Sequence, residues 1–497
     1  MKSVKNLLIP FIILIALVIG VVIYYVVDNM RTIESSETAA GSIDVVYFNM
    51  SDISMVTVYN RDTAHNTVVK CLVSTDGSVK YEYAGDDIKQ GEKFSQNALS
   101  NYAYAMSTYS SNAKVSTLGN FAEYGLDNPK ITVTIDAVNG STTTVYLGNT
   151  SPNGQYCYMY VAGSADIYAV PVNKLETADK RAIDFLESTM LDIDYKDLKN
   201  VHFDRKTDNL SLDATVTINN SGSAYFTVYK PYNQLASNYF TNMIHDITQL
   251  QITQYLDLTA AELSSYGLDN PYYHLVLTLN SGENIELFFS QKNNGYYYGR
   301  MNGMDNYFML SEKQISGLEL QELVLINPYV TKFTASSYSS ITVTYGDKSF
   351  KLDLEVAEGK PITDPDANVS LDGRNAQIKD SKGRSYSSIL FESLTGIKIG
   401  GVELKDGINT SAGAEITFSL IDKSYNTTTF EFYTRDTDSY YVCKNGEYTG
   451  FYVYSKEFFY DAGSDTYNYG CWSAYELLNE AITNNINGIY DIPVATE

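Results

Sequence analysis

The sequence predicts an α+β fold: an N-terminal transmembrane helix followed by three tandem repeats, each an antiparallel β-meander with one packed helix. Three observations carry that expectation. Residues 7–27 form an uncharged apolar run, the hexapeptide Tyr-Gly-Leu-Asp-Asn-Pro occurs twice, and the same succession of alternating strands follows each copy. A chain of 497 residues also leaves room for about three domains of ~150 residues.

The apolar run comes first. At ~1.5 Å per helical residue it matches a hydrocarbon layer ~30 Å thick. Pro10 falls in its first turn, where a missing N–H costs least. Lys2 and Lys5 precede the run, and Asp28, Arg31, Glu34 and Glu37 follow it. This bias places residues 1–6 in the cytoplasm and everything beyond the span, including a linker at 28–48, outside the cell membrane as a single-pass protein. A cleaved signal peptide has a shorter apolar core, ~7–15 residues, and a small-residue cleavage site. This run ends in Tyr24, Tyr25, Val26 and Val27, so a signal-anchor is expected.

Acidic residues outnumber basic ones, 59 to 35, for a formal charge of −24. Binding to nucleic acid needs clustered Lys and Arg, so that partner class is excluded. An acidic surface suits an exported domain facing anionic lipid. Cys71, Cys157, Cys443 and Cys471 show no C-x-x-C spacing, which leaves both buried thiols and disulfides open.

The repeat rests on Tyr124, Gly125, Leu126, Asp127, Asn128 and Pro129, matched by Tyr266, Gly267, Leu268, Asp269, Asn270 and Pro271, an offset of 142 residues. Alternating strands are expected at 131–135, 144–148, 155–160 and 167–170 behind the first copy, and at 274–279, 285–289, 296–300 and 307–310 behind the second. Segments 416–420, 429–433, 440–443 and 452–454 reproduce the four strands a third time without the hexapeptide, with Ile285 matched to Phe430 and Tyr307 to Tyr452 at an offset of 145. Strands at 52–58, 197–203 and 338–343 open the three units. Between front and back, Phe94, Ala98, Tyr102, Ala105 and Tyr109 mark one helical face, and Phe240, Met243, Ile244 and Ile247 another. The expected units are 49–190, 191–328 and a degenerate 329–480, followed by a C-terminal tail at 481–497.

The hexapeptide has a structural explanation. Asn120 with Glu123, and Thr259 with Glu262, have capping-box spacing for a short helix. Gly125 and Gly267 then suit the left-handed position that ends it, with Leu126 and Leu268 packing back. Asp127 and Asp269 are expected in a turn.

With its strand, Gly turn and Tyr-bearing strand, this motif resembles a tandem YGLD-x-P repeat family, domain of unknown function 4340. The resemblance covers about residues 50–325 well and 330–470 weakly. It implies a bacterial, membrane-anchored protein associated with ABC transporter permeases and auxiliary subunits of the GldG-like export type. It brings no catalytic residue with it.

No catalytic or cofactor constellation is legible. His65, His202, His245 and His274 lack the i, i+4 spacing of a helical metal pair, and no P-loop or nucleophile elbow occurs. Ser111 and Lys114 match S-x-x-K without its partner motifs. Asp364 and Asp366 resemble the start of a Ca²⁺ loop, but Val369 and Asn375 stand where Gly and Glu are required. Tyr recurring at 156, 297 and 441 suggests packing more than ligand binding, and Trp472 is the only Trp. The expectation is therefore no enzyme, no cofactor and no metal: a non-enzymatic extracytoplasmic auxiliary or scaffold subunit of an ABC-type export system, with a cell-wall glycan- or peptide-binding module as the alternative. The sequence sets no oligomeric state.

Overall fold

The computed structural model describes residues 42–460 and 469–492. The expected span at 7–27, the segment 1–6 and most of the linker lie outside the described residues. Among the described residues no helix is long and apolar enough to cross a membrane. The chain divides into two compact units, Met1–Glu187 and Ser188–Glu497, and the fold is α+β, dominated by antiparallel sheets.

The first unit is built on an eight-stranded sheet. Its centre is Ile53–Asn60, which pairs with His65–Val73 on one side and Ile131–Ala137 on the other. Val79–Tyr83 extends the first side; Thr142–Thr150, Tyr156–Val161 and Ile167–Pro171 extend the second as a meander, closed by Lys114–Ser116. Burial alternates along Ile131–Ala137, so one face is core and the other wet, the pattern read from its Ile-Thr-Val-Thr-Ile run. The core face is covered by the helix Gln96–Ser107, whose N-terminus is capped by the Ser95 side chain accepting from Ala98 N–H. Its buried apolar residues are Leu99, Tyr102, Ala103 and Met106. The expected face was rotated: Phe94 and Tyr109 lie outside the helix, and Ala98 and Ala105 only border the core.

The second unit contains two nine-stranded sheets. In one, Leu198–Arg205 pairs with Leu210–Ile218 and with Tyr273–Leu279. Asn284–Phe289, Tyr296–Met301 and Tyr307–Ser311 continue the meander. Its helix, Asn238–Thr248, buries Phe240, Met243, Ile244 and Ile247, as its sequence period predicts. In the other sheet, Tyr338–Tyr345 pairs with Lys348–Glu355 and with Ile416–Asp422, and Thr427–Asp436, Ser439–Lys444 and Glu447–Tyr454 follow. Here two helices, Tyr386–Thr395 and Cys471–Asn484, pack together. The expected tail from 481 thus begins inside a helix: Ala481 is fully buried and Tyr490 nearly so.

All three sheets share one strand order, the second and third adding one edge strand each. Each central pairing slips at the same place, next to Ile53, Leu198 and Tyr338. The ladders correct two alignments. Val276 faces Glu286 and Ser419 faces Thr429, so the last two sheets are offset by 143 residues here rather than 145. A shift of two keeps the same face, and Phe430 stays in the core. Tyr156, Tyr297 and Tyr441 do not recur at one position. Tyr297 faces Leu310 and lies in the core with Cys157 and Tyr440 as its counterparts, whereas Tyr441 corresponds to Tyr158 and Tyr298. A slip of one residue exchanges the faces.

Candidate functional site

The hexapeptide forms a turn in each of its two copies. In both copies a 3₁₀ turn, Phe121–Tyr124 or Leu263–Tyr266, ends on a left-handed glycine, Gly125 at φ 67° and Gly267 at φ 68°. Leu126 and Leu268 are buried, and Asp127 and Asp269 are exposed. The capping boxes are incomplete. Asn120 and Glu123 bond each other's side chains, while the Glu262 carboxylate accepts from the Thr259 N–H at 2.8 Å and from its hydroxyl at 2.7 Å. Tyr124 meets Tyr158 edge-on with centroids 4.7 Å apart, and Tyr266 meets Tyr298 at 4.7 Å.

The weaker motifs also resolve. Ser111 is buried with its hydroxyl 2.7 Å from the Ala169 carbonyl, and Lys114 pairs with Asp166 at 2.6 Å, so the two groups serve different partners. Asp364 pairs with Lys360 at 3.1 Å and accepts from Asp366 N–H, while Val369 is fully buried in the strand Asn368–Leu371. All four cysteines are buried free thiols.

Within the second unit a cleft of about 1120 Å³ carries Tyr229, Tyr329 and Tyr448 beside Lys332, Lys405 and Lys444. Asp406 and Glu447 are the acidic members of its lining, so the excess of acid over base in the whole chain is reversed there. Beside it, Lys405 and Arg435 converge on Glu403, with Arg435 Nε at 2.8 Å and the Tyr441 hydroxyl at 3.0 Å. Lys405 and then Arg435 hold this carboxyl down at about 2. Tyr rings offer flat faces to sugars or peptides, and the ammonium groups favour an anionic ligand.

A second constellation lies on the outer face of the sheet centred on Leu198–Arg205. His202 and Asp204 alternate onto that face; Asp213 stands opposite His202, and Ser211 and His274 stand on either side of Asp204. The His202 ring lies between two carboxylates, Nδ1 2.7 Å from Asp213 and Nε2 2.8 Å from Asp204. Partial burial opposes the imidazolium, but these hydrogen bonds outweigh it and raise the His202 pKa above its ordinary value. Partial burial likewise works against the Asp204 carboxylate, and bonds from Ser211 and His202 outweigh it and lower its pKa. His274 Nδ1 lies 3.6 Å from Asp204, and its Nε2 lies 3.6 Å from Glu286. The set has no i, i+4 spacing, because its members lie on two paired strands. The available signal was His202-Phe-Asp204, an i, i+2 pair inside a strand.

His65 forms a looser group with Asp86 and Asp87, at 3.5 and 3.6 Å. His245 sits in the last turn of the helix Asn238–Thr248, 5.9 Å from the Tyr195 ring.

Comparison with known proteins gives one family. Its model, described as a domain of unknown function (DUF4340), matches residues 90–271 and again 227–406. Both windows begin near or within the front half of one sheet's sequence and run into the next, and they overlap over 227–271. No curated protein and no solved structure matches the chain. With the two windows spanning well over half of its length, the chain belongs to the DUF4340 family.

Proposed function

We propose that this protein is a non-enzymatic, membrane-anchored scaffold, three copies of one α+β unit held outside the membrane by a helix at 7–27, and that it serves an ABC-type export assembly as a GldG-like auxiliary subunit. The observation that carries this is the single strand order of the three sheets, each with an apolar core on one face, the second core also taking in Phe451 of the third sheet. Sheets that each bury one face can vary the other freely, which suits a protein whose work is to present surfaces. The resemblance to membrane-anchored tandem-repeat proteins supports the export partner. Copurification after mild detergent extraction tests it. A permease or ATPase recovered in stoichiometric amount is the expected result; recovery of the chain alone, or with wall fragments only, overturns it.

The cleft supports a second reading, a cell-wall glycan- or peptide-binding module, because its Lys groups outnumber its acidic ones, against the balance of the whole chain, and Tyr rings stand beside them. Sedimentation with purified wall, lost on Tyr448→Ala with Lys444→Ala, would support that reading in place of the scaffold.

A further inference from the structure

The His-carboxylate face of the second sheet has the composition and layering of a metal site. We propose that His202, Asp204 and His274 bind a first-row divalent transition-metal cation of the zinc type, through two imidazole nitrogens and one carboxylate oxygen.

The donor atoms converge: one from each of the three residues lies within 4.8 Å of the other two. Metal–ligand bonds of about 2.0–2.1 Å at tetrahedral angles put neighbouring donors about 3.3 Å apart. Asp204 Oδ2 stands 2.8 Å from His202 Nε2 and 3.6 Å from His274 Nδ1, so the observed separations bracket that spacing.

An outer layer is formed behind His202 and approached behind His274, whose buried Nε2 makes no hydrogen bond. A ligating histidine normally gives its other N–H to a carboxylate, which fixes tautomer and ring. Asp213 takes that place behind His202 at 2.7 Å, and Glu286 lies behind His274 at 3.6 Å. Ser211 bonds Asp204. The His274 ring lies flat against Phe288, with centroids 4.5 Å apart and an interplanar angle of 5°, and Arg300 packs over Phe288 at 3.9 Å. Both histidine side chains remain about a third exposed, at 31%, so solvent or a ligand can complete the coordination.

The other two sheets act as an internal control. At the register positions of His202, Asp204 and His274 they carry Thr57, Tyr59 and Thr132, and Thr342, Thr344 and Thr417. The strand pairing therefore forms without this set, and only one sheet assembles it. Two imidazoles favour a zinc-type cation over Ca²⁺ or Mg²⁺, which prefer all-oxygen shells.

The test uses the full chain in detergent after chelator treatment, titrated with Co²⁺ and followed by visible absorption. The expected result is one Co²⁺ per chain, displaced by Zn²⁺ and not by Ca²⁺. His202→Thr with His274→Thr, the residues that the other sheets carry, should weaken binding by about 100-fold or more while the chain still unfolds cooperatively in the absence of metal. Asp213→Asn should weaken it by about 10- to 100-fold, and His65→Asn should leave it unchanged. Absence of stoichiometric Co²⁺ binding, equal affinity in the double variant, or an equal loss on His65→Asn would overturn the proposal and leave His202 as a hydrogen-bonded bridge between two aspartates.

Discussion

The backbone carbonyl of Tyr124 closes over Gly148 and occupies the space that a β-carbon at residue 148 would need. The 3₁₀ turn of the first hexapeptide can therefore lie directly on the strand Thr142–Thr150, with Leu126 buried beneath it. Gly148→Ala should push the turn off the strand and cost about 1–3 kcal/mol by overpacking. Gly267→Ala is a different case: a β-carbon there meets only Ser290 at 3.4 Å, so the left-handed backbone alone should cost about 1–2 kcal/mol. Urea unfolding of the two variants checks both values, and a neutral Gly148→Ala would show that the turn is not seated on the strand.

The four thiols give a second prediction. Burial pushes Cys71 and Cys443 up to about 11 and Cys157 up to about 12, and Cys471 rises in the same direction. Thiolate is the reactive form, so folded protein should be inert to a thiol reagent at pH 8. Four equivalents should react once the chain is unfolded in denaturant without reductant. Fewer than four would reveal a disulfide that the buried positions do not provide.

Much of the fold was legible because strands and helices write their burial into the sequence at short range. Ile131–Ala137 alternates residue by residue, and Asn238–Thr248 places Phe240, Met243, Ile244 and Ile247 on one face. Registers were less legible, because a Tyr tolerates both a core and a half-buried position. Tyr297 and Tyr441 therefore aligned in sequence although they face opposite ways. The helix Cys471–Asn484 was missed as a core element because the third sheet adds it without a counterpart in the repeat. The His202 and His274 pairing was the least visible feature. It depends on Leu198–Arg205 lying beside Tyr273–Leu279, and the intervening hairpin and helix leave no local trace of that contact.

Lys174 ties the helix Gln96–Ser107 to the segment behind the first meander. Its ammonium donates to the carbonyls of Ala105 at 2.6 Å and Thr108 at 2.8 Å and sits 4.8 Å from the Tyr109 ring centroid. Burial pushes its pKa down to about 8, which still leaves it mostly charged at neutral pH. A cation at a helix C-terminus satisfies carbonyls that have no partner within the helix. Lys174→Met keeps the apolar stem and removes the donor, so it should destabilise the protein by about 1–3 kcal/mol. Thermal unfolding monitored by Tyr absorbance would show it, and an unchanged midpoint would mean that water replaces the ammonium at no cost.

Glu403 sets a pH dependence of definite sign. Its carboxyl is held at about 2 by Lys405 first and Arg435 second, with the Tyr441 hydroxyl donating as a third partner. A carboxyl depressed in the folded state stabilises it fully above the unfolded pKa, and that contribution is lost as pH falls through the folded one. The stability difference between the wild type and Glu403→Gln should therefore be constant near neutrality and shrink between about pH 5 and pH 2. The group is partly solvated, so added salt should reduce the difference at every pH. Denaturant midpoints of both proteins across that range measure it. A difference that stayed constant down to pH 2 would place the three partners as contacts of packing only, with no charge held between them.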